Sequence, residues 1–351
     1  MSLKIKNLVN PNFIFKETFV CLENDLFEIN NSFDIYSLQF DKTKIFLCGS
    51  NHHNRSIIDI FEFIGGKFQK KLSLKNHKEF VIASKYFLNK KTKKEYLVSC
   101  DSGSRSNIAI IWNILDENNY EEILQIKNID SILYPFSLLF NYNNDTDNKC
   151  YYIHPSSHTD SEIIKEDSTI FKNIRFTQGK ILHYLIWENN KDNKNYVIQC
   201  NKDYIYIYNI FDTKINFLRI ECDDIIGNNH SAFVIYNKNN TDILGIINEK
   251  GRIVFYDLLN DKIISVVKIN ENNLVNSCQF NDKYFIFLSK NGSFLVFDYD
   301  QQKIINKIKS NRLSKVKTIK IFSHDIYGKY LLMGGFMTGI LIYKNIETFF
   351  L

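Results

Sequence analysis

Histidine and cysteine are the residue types through which this chain could do chemistry. Four of its eight histidines, His52, His53, His154 and His158, fall in two polar segments, GSNHHNRS at 49–56 and HPSSHTDS at 154–161. Clustered imidazoles could hold zinc, which takes three or four converging ligands. Here the clusters come from separate segments rich in Asn and Ser, a composition of solvated or partner-contacting turns, so no metal is expected. His77 could act as a general base, a role that needs a substrate proton within hydrogen-bond reach. The seven cysteines include no CxxC pair, and Cys48, Cys100, Cys150 and Cys200 recur at spacings of 52, 50 and 50. Regular recurrence of a small side chain points to packing, since thiols one repeat apart cannot share an ion at ~2.3 Å. Unpaired cysteines fit a reducing compartment, so the expected location is the cytoplasm, with the nucleus as the alternative. The chain has no glycine-rich phosphate loop, GxSxG elbow or HExxH helix. Catalytic residues and cofactors are therefore not expected.

Cations gather in two runs, KKTKKE at 90–95 and KIINKIKSNRLSKVKTIK at 303–320. Alternation in the second puts most lysines on a solvated strand face and leaves Arg312 and Lys315 in a connecting loop. A formal net charge of +5 on 351 residues does not by itself imply nucleic acid. RNA, a ribosome or an anionic lipid surface remains the alternative class of partner for these patches. No run approaches the ~18 apolar residues needed to cross a bilayer, and no transmembrane segment is expected.

The elements that must position these residues are strands. Aromatic residues reach 15%, carried by 29 Phe and 20 Tyr, and with abundant Ile they favour β structure. An alternating apolar run that ends on an aromatic and a polar residue recurs along the chain. Its copies are IIDIFEF at Phe61-Glu62, NIAIIWNI at Trp112-Asn113, YIYIYNI at Tyr208-Asn209, RIVFYDL at Tyr256-Asp257, SFLVFDY at Phe297-Asp298 and GILIYKN at Tyr343-Lys344. Successive spacings are 51, 96, 48, 41 and 46, so one copy is eroded between Trp112 and Tyr208, near SEIIKED at 161–167, and seven units result. Each unit reads as four strands joined by short polar turns. A lone four-stranded sheet cannot bury both faces, whereas a ring of such sheets can, and a period of about 40–50 residues is that of a propeller.

With Trp112-Asn113, the Asp of Tyr256-Asp257 and Phe297-Asp298, and the lead-ins NHKEFV at 76–81 and NHSAFV at 229–234, the chain resembles the WD40-repeat family over roughly residues 12 to 346. That resemblance implies that His77 links strands through Ser99, Asp101 and Trp112. It also implies that His230, three periods of 51 further on, occupies the equivalent place. Phosphoinositide-binding propellers carry a Phe/Leu-Arg-Arg-Gly motif, which this chain lacks.

The expected architecture is all-β: a single seven-bladed WD40-like β-propeller of four-stranded antiparallel blades. Residues 1–33 supply a closing strand to the last blade, through the apolar stretch 12–22; residues 34–346 form the blades, and 347–351 the C-terminal end. The expected function is a non-enzymatic scaffold or adaptor that presents loops to protein partners, with a propeller enzyme as a further alternative. Turns between second and third strands are longest in the first three units, so partners are expected there, on His52, Arg55, Arg105 and His158, with Arg312 and Lys315 as further contacts.

Overall fold

The computed structural model describes residues 17–18, 26–29, 33–40, 44–51, 57–64, 67–89, 92–102, 108–115, 119–127, 138–141, 150–157, 159–165, 167–175, 181–189, 191–192, 194–202, 204–212, 218–220, 230–236, 242–248, 250–269, 274–289, 291–308, 316–324, 328–335 and 340–343. Every regular element among them is a strand. Two short strands come first, β1 (Glu17–Thr18) and β2 (Leu26–Ile29). The first sheet holds β3 (Phe33–Phe40), β4 (Lys44–Asn51), β5 (Ile57–Ile64) and β6 (Lys67–Leu74); the second holds β7 (Phe80–Leu88), β8 (Glu95–Ser102), β9 (Ile108–Ile114) and β10 (Tyr120–Lys127). The third has β11 (Leu138–Asn141), β12 (Cys150–Pro155), β13 (Asp160–Lys165) and β14 (Ile170–Arg175); the fourth has β15 (Ile181–Asn189), β16 (Lys194–Asn201), β17 (Ile205–Tyr208) and β18 (Leu218–Ile220). The fifth contains β19 (His230–Tyr236), β20 (Asp242–Asn248), β21 (Arg252–Asp257) and β22 (Lys262–Lys268). The sixth contains β23 (Leu274–Gln279), β24 (Tyr284–Ser289), β25 (Phe294–Asp298) and β26 (Lys303–Ile308), with β1 on its edge. The last runs β27 (Val316–His324), β28 (Gly328–Gly335) and β29 (Ile340–Tyr343), with β2 as its fourth strand.

Within each sheet consecutive strands pair antiparallel. Turns between second and third strands, and links from one sheet to the next, therefore leave on one side. Turns between first and second, and third and fourth, strands leave on the other. The aromatic-polar copies fall on third strands: Phe61 on β5, Trp112 on β9, Tyr208 on β17, Tyr256 on β21, Phe297 on β25 and Tyr343 on β29.

Alternation explains why the middle strands are apolar on both faces. On β20 and β21, Leu244, Ile246, Val254 and Tyr256 pack with Ile198 and Ile207 of the fourth sheet. Their neighbours Ile243, Ile247, Ile253 and Phe255 pack with Phe285, Phe287 and Phe297 of the sixth. Ile108, Ile110 and Trp112 likewise meet Ile58 and Ile60 of the first sheet, while Ala109 and Ile111 meet Cys150 and Tyr152 of the third. A strand sandwiched this way loses its polar stripe and reads as a continuous apolar run. Each fully buried aromatic or aliphatic side chain contributes about 1.5–3 kcal/mol to this stacking.

The Asp of the aromatic-Asp pairs holds the following turn. Asp257 Oδ1 accepts the N–H groups of Leu259 and Asn260, each at 3.0 Å, and Asp298 Oδ1 accepts that of Gln301 at 3.0 Å. Burial raises the Asp257 carboxyl, yet hydrogen bonds from Asn260 and Leu259 and the charge of Lys262 outweigh it and leave it below the ordinary carboxylate value.

The stretch 12–22 does not sit where the sequence suggested. Its residues Glu17–Thr18 run parallel to Lys307–Ile308 on the sixth sheet. The strand on β29 is Leu26–Ile29, paired antiparallel with Ile340–Tyr343. Connectivity explains the shift: only the segment directly before β3 can be an outer strand that feeds the next sheet's inner strand, as β6 feeds β7.

Candidate interaction surface

A buried polar arrangement lies in the second sheet. His77, in the link between β6 and β7, is buried, with Nε2 2.7 Å from Ser99 Oγ and Nδ1 3.2 Å from Asp101 Oδ2. The Trp112 indole N–H donates to Ser99 Oγ at 2.8 Å, and Asp101 Oδ1 accepts the N–H of Ile108 at 2.8 Å. Ser99 Oγ thus accepts the indole N–H, shares a hydrogen bond with His77 Nε2, and lies 3.5 Å from the Ile110 carbonyl to which it can donate. Ser, His and Asp in this order could also form a nucleophilic triad. Ser99 and Asp101 are 0% exposed and the hydroxyl already holds the indole, so no substrate reaches it. These four residues tie the link to β8 and β9.

Other sheets fill the same register differently. Ser99 stands opposite Ile110, and Leu97 opposite Trp112; the matching pairs are Gln199 with Tyr206 and Val197 with Tyr208 in the fourth sheet. There Tyr208 OH donates to Gln199 Oε1 at 2.9 Å, Gln199 Nε2 donates to Asn201 Oδ1 at 2.8 Å, and Ser161 Oγ donates to Gln199 Oε1 at 3.1 Å. Burial pushes the phenols of Tyr184 and Tyr208 up. In the fifth sheet Ile246 stands where Ser99 does, opposite Val254. His230 begins β19 opposite Asn248, whereas Asp101, the counterpart of Asn248, lies opposite Val81. The two histidines are thus not in register, because the repeats between them differ in length; the His230 side chain lies outside the described residues.

Buried side chains pin the turns on the side that carries the sheet-to-sheet links. Asn248 Oδ1 accepts the N–H groups of Lys250 and Arg252, each at 3.0 Å, as Asp101 accepts that of Ile108. Ser289 Oγ accepts the Ser293 N–H at 3.1 Å and donates to Asn291 Oδ1. Gly251 and Gly292 sit at φ of 74° and 83°, the left-handed region that favours glycine. Exposed Lys202, Lys250 and Asn291 project from these turns. His52, Arg55, Arg105, His158, Arg312 and Lys315 lie outside the described residues, so no geometry joins them.

His154, assigned to a solvated turn by sequence, is a buried residue of β12. Its Nδ1 is 3.2 Å from the Pro155 carbonyl and its Nε2 is 3.2 Å from Glu162 Oε2. The continuous apolar run CYYI carried it inward, in a strand buried along its whole length, a signal that the flanking serines obscured. Cys100, Cys150, Cys200 and Cys278 are buried free thiols, and burial pushes that of Cys200 up. Among the described residues, no group of three or more His, Cys, Asp or Glu is placed to hold a metal. No helix there is long and apolar enough to cross a membrane.

No family model and no curated protein matches the chain. Its architecture is similar to the crystal structure of Sqt1 from Saccharomyces cerevisiae, a WD40 β-propeller, with a TM-score of 0.62 over 91% of this chain and 97% of that one. The two sequences are 9% identical, so the likeness carries the fold.

Proposed function

We propose that this chain, a WD40-like β-propeller, is a non-enzymatic scaffold: a seven-bladed ring that offers one side to macromolecular partners, chiefly proteins, in the cytoplasm or nucleus. Support for a closed ring comes from β2 completing the last sheet on β29 and from β27 lying beside both β3 and β23. The observation that carries the functional reading is the pinning of turns by buried Asp101, Asn248 and Ser289. Turns held from beneath keep one shape, and a preorganised surface binds without paying for ordering.

The test is affinity purification of the tagged full-length protein from its own cells, beside a variant with His52, Arg55, Arg105 and His158 all changed to Ala. The variant is expected to keep the melting temperature of the wild type and to lose a co-purifying partner. If it keeps every partner, this part of the surface is not where they dock.

A further inference from the structure

The sequence holds a single Asn-Gly pair, Asn291-Gly292. It lies in the turn between β24 and β25, with Asn291 exposed and Gly292 at a φ of 83°. The Gly292 N–H donates to the Ser289 carbonyl at 3.0 Å and closes the turn. Asn291 Oδ1 accepts two hydrogen bonds, one from Ser289 Oγ and one at 3.0 Å from the Ser293 N–H, which is shared with Ser289 Oγ. A backbone N–H among the donors fixes that atom as the oxygen of the side-chain amide. The turn between β20 and β21 closes the same way: Gly251, at a φ of 74°, donates its N–H to the Asn248 carbonyl at 3.1 Å. Exposed Lys250 stands there in the place of Asn291. Turn closure therefore does not require asparagine at this place.

We propose that Asn291 is a site of self-modification promoted by its own turn: the backbone nitrogen of Gly292 displaces the side-chain nitrogen of Asn291 as ammonia. Loss of its proton to water releases the Gly292 nitrogen from the Ser289 carbonyl. That nitrogen then bonds to Asn291 Cγ and pushes negative charge onto Oδ1. Ser289 Oγ–H and the Ser293 N–H are already aimed at this oxygen, and donors placed where charge develops lower the barrier. Collapse of the intermediate breaks the Cγ–Nδ2 bond; Nδ2 takes a proton from water in place of the one Gly292 gave up and departs as ammonia. A five-membered imide remains. Glycine has no Cβ to crowd that ring. Asn291 is exposed, so water reaches the imide and opens it at either carbonyl. One product is aspartate. The other is an isoaspartyl link, in which the main chain runs through Cβ and Cγ and the α-carboxylate is free. Both put a negative charge where a neutral amide stood, on the side that carries the sheet-to-sheet links, and the second also adds a methylene to the main chain of the turn. The free α-carboxylate of the isoaspartyl form is a substrate of the carboxyl-methyltransferase class. None of these steps depends on what docks on that side.

The test follows the peptide that carries residues 289–293 by mass spectrometry while the folded full-length protein ages at neutral and at mildly alkaline pH. The expected result is a mass gain equal to the exchange of NH2 for OH, divided between two products and faster at the higher pH, because the attacking nitrogen is deprotonated. The isoaspartyl product is expected to take a radiolabelled methyl group from S-adenosylmethionine when a purified isoaspartyl methyltransferase is added. Ser289→Ala removes one donor and should slow conversion about two- to tenfold, the factor that a neutral hydrogen bond on the developing oxyanion is worth. Ser289→Thr keeps the hydroxyl and should convert like wild type. Asn291→Lys, which copies the turn of the fifth sheet, should end both the mass gain and the methyl uptake at this peptide. Absence of conversion in the folded protein, under conditions in which the urea-unfolded chain converts, shows that the turn protects Asn291 and overturns the proposal. So does equal or faster conversion in a Ser289→Ala protein that melts like wild type, since the turn then promotes nothing.

Discussion

The second and sixth sheets solve one packing problem with opposite chemistry. In the second, Ser99, Ile110 and Trp112 occupy a slot that in the sixth holds Phe287, Leu295 and Phe297. Trp112 and Phe297 are equally buried, at 2% and 0% exposure. Trp112 is held by a directed chain of hydrogen bonds through Ser99 to His77, while Phe297 is held by rings: Phe255 lies 5.8 Å away, stacked, and Phe287 5.7 Å away, tilted. A polar chain is stable only when complete, since each missing partner strands the others in a low dielectric. An aromatic stack loses stability in proportion to the area removed. The first specifies one arrangement, and the second tolerates several.

The largest effect expected is on the aromatics themselves. Phe297→Ala should destabilise by about 3–5 kcal/mol in urea unfolding. Trp112→Ala should exceed it by roughly 1 kcal/mol, because it also breaks a buried hydrogen bond. A Trp112→Ala cost below that of Phe297→Ala would mean that the tetrad adds nothing beyond packing. Next come the partners. Ser99→Ala leaves an indole N–H and an imidazole nitrogen without their hydroxyl and should cost about 1–3 kcal/mol, whereas Phe287→Leu should cost less than about 1.5 kcal/mol. A double-mutant cycle between Ser99→Ala and Trp112→Phe should give a coupling of about 0.5–3 kcal/mol. Strict additivity there would break the contrast between the two sheets.

The smallest effect extends the contrast to the third sheet and to pH. Burial lowers His154 from the ordinary 6.5, and the Pro155 carbonyl and Glu162 offset it only in part. The folded chain therefore prefers neutral imidazole, while the unfolded chain takes up its proton first as pH falls. Stability should decline as pH drops through 6.5 toward the lower folded value, and His154→Gln should flatten that part of a melting-temperature profile. A profile of unchanged slope in His154→Gln would assign the pH response to another group.

Much of the architecture was legible because a strand stacked between neighbours must be apolar on both faces, and the aromatic on every third strand but that of the third sheet marks the phase. Trp112, Tyr208, Tyr256 and Phe297 all read this way. The tetrad was legible through the resemblance, and the structure brings its four members together. What was not legible depends on register and connectivity. A spacing of 153 between His77 and His230 looked like three equal repeats, but unequal repeats shift the second histidine along its ladder. His154 was hidden by its polar neighbours.

The pairing of Leu26–Ile29 with Ile340–Tyr343 joins strands about 310 residues apart in one sheet. During synthesis Leu26–Ile29 emerges well before Ile340–Tyr343, and about 310 further residues must be added before it meets this partner. At usual elongation rates that wait is on the order of 15–60 s. For that interval the nascent chain carries an unpaired strand edge at its front and a growing stack of sheets behind it. Completion of this sheet therefore waits on synthesis of Ile340–Tyr343, and a message truncated before that strand would yield a protein that cannot make this pairing.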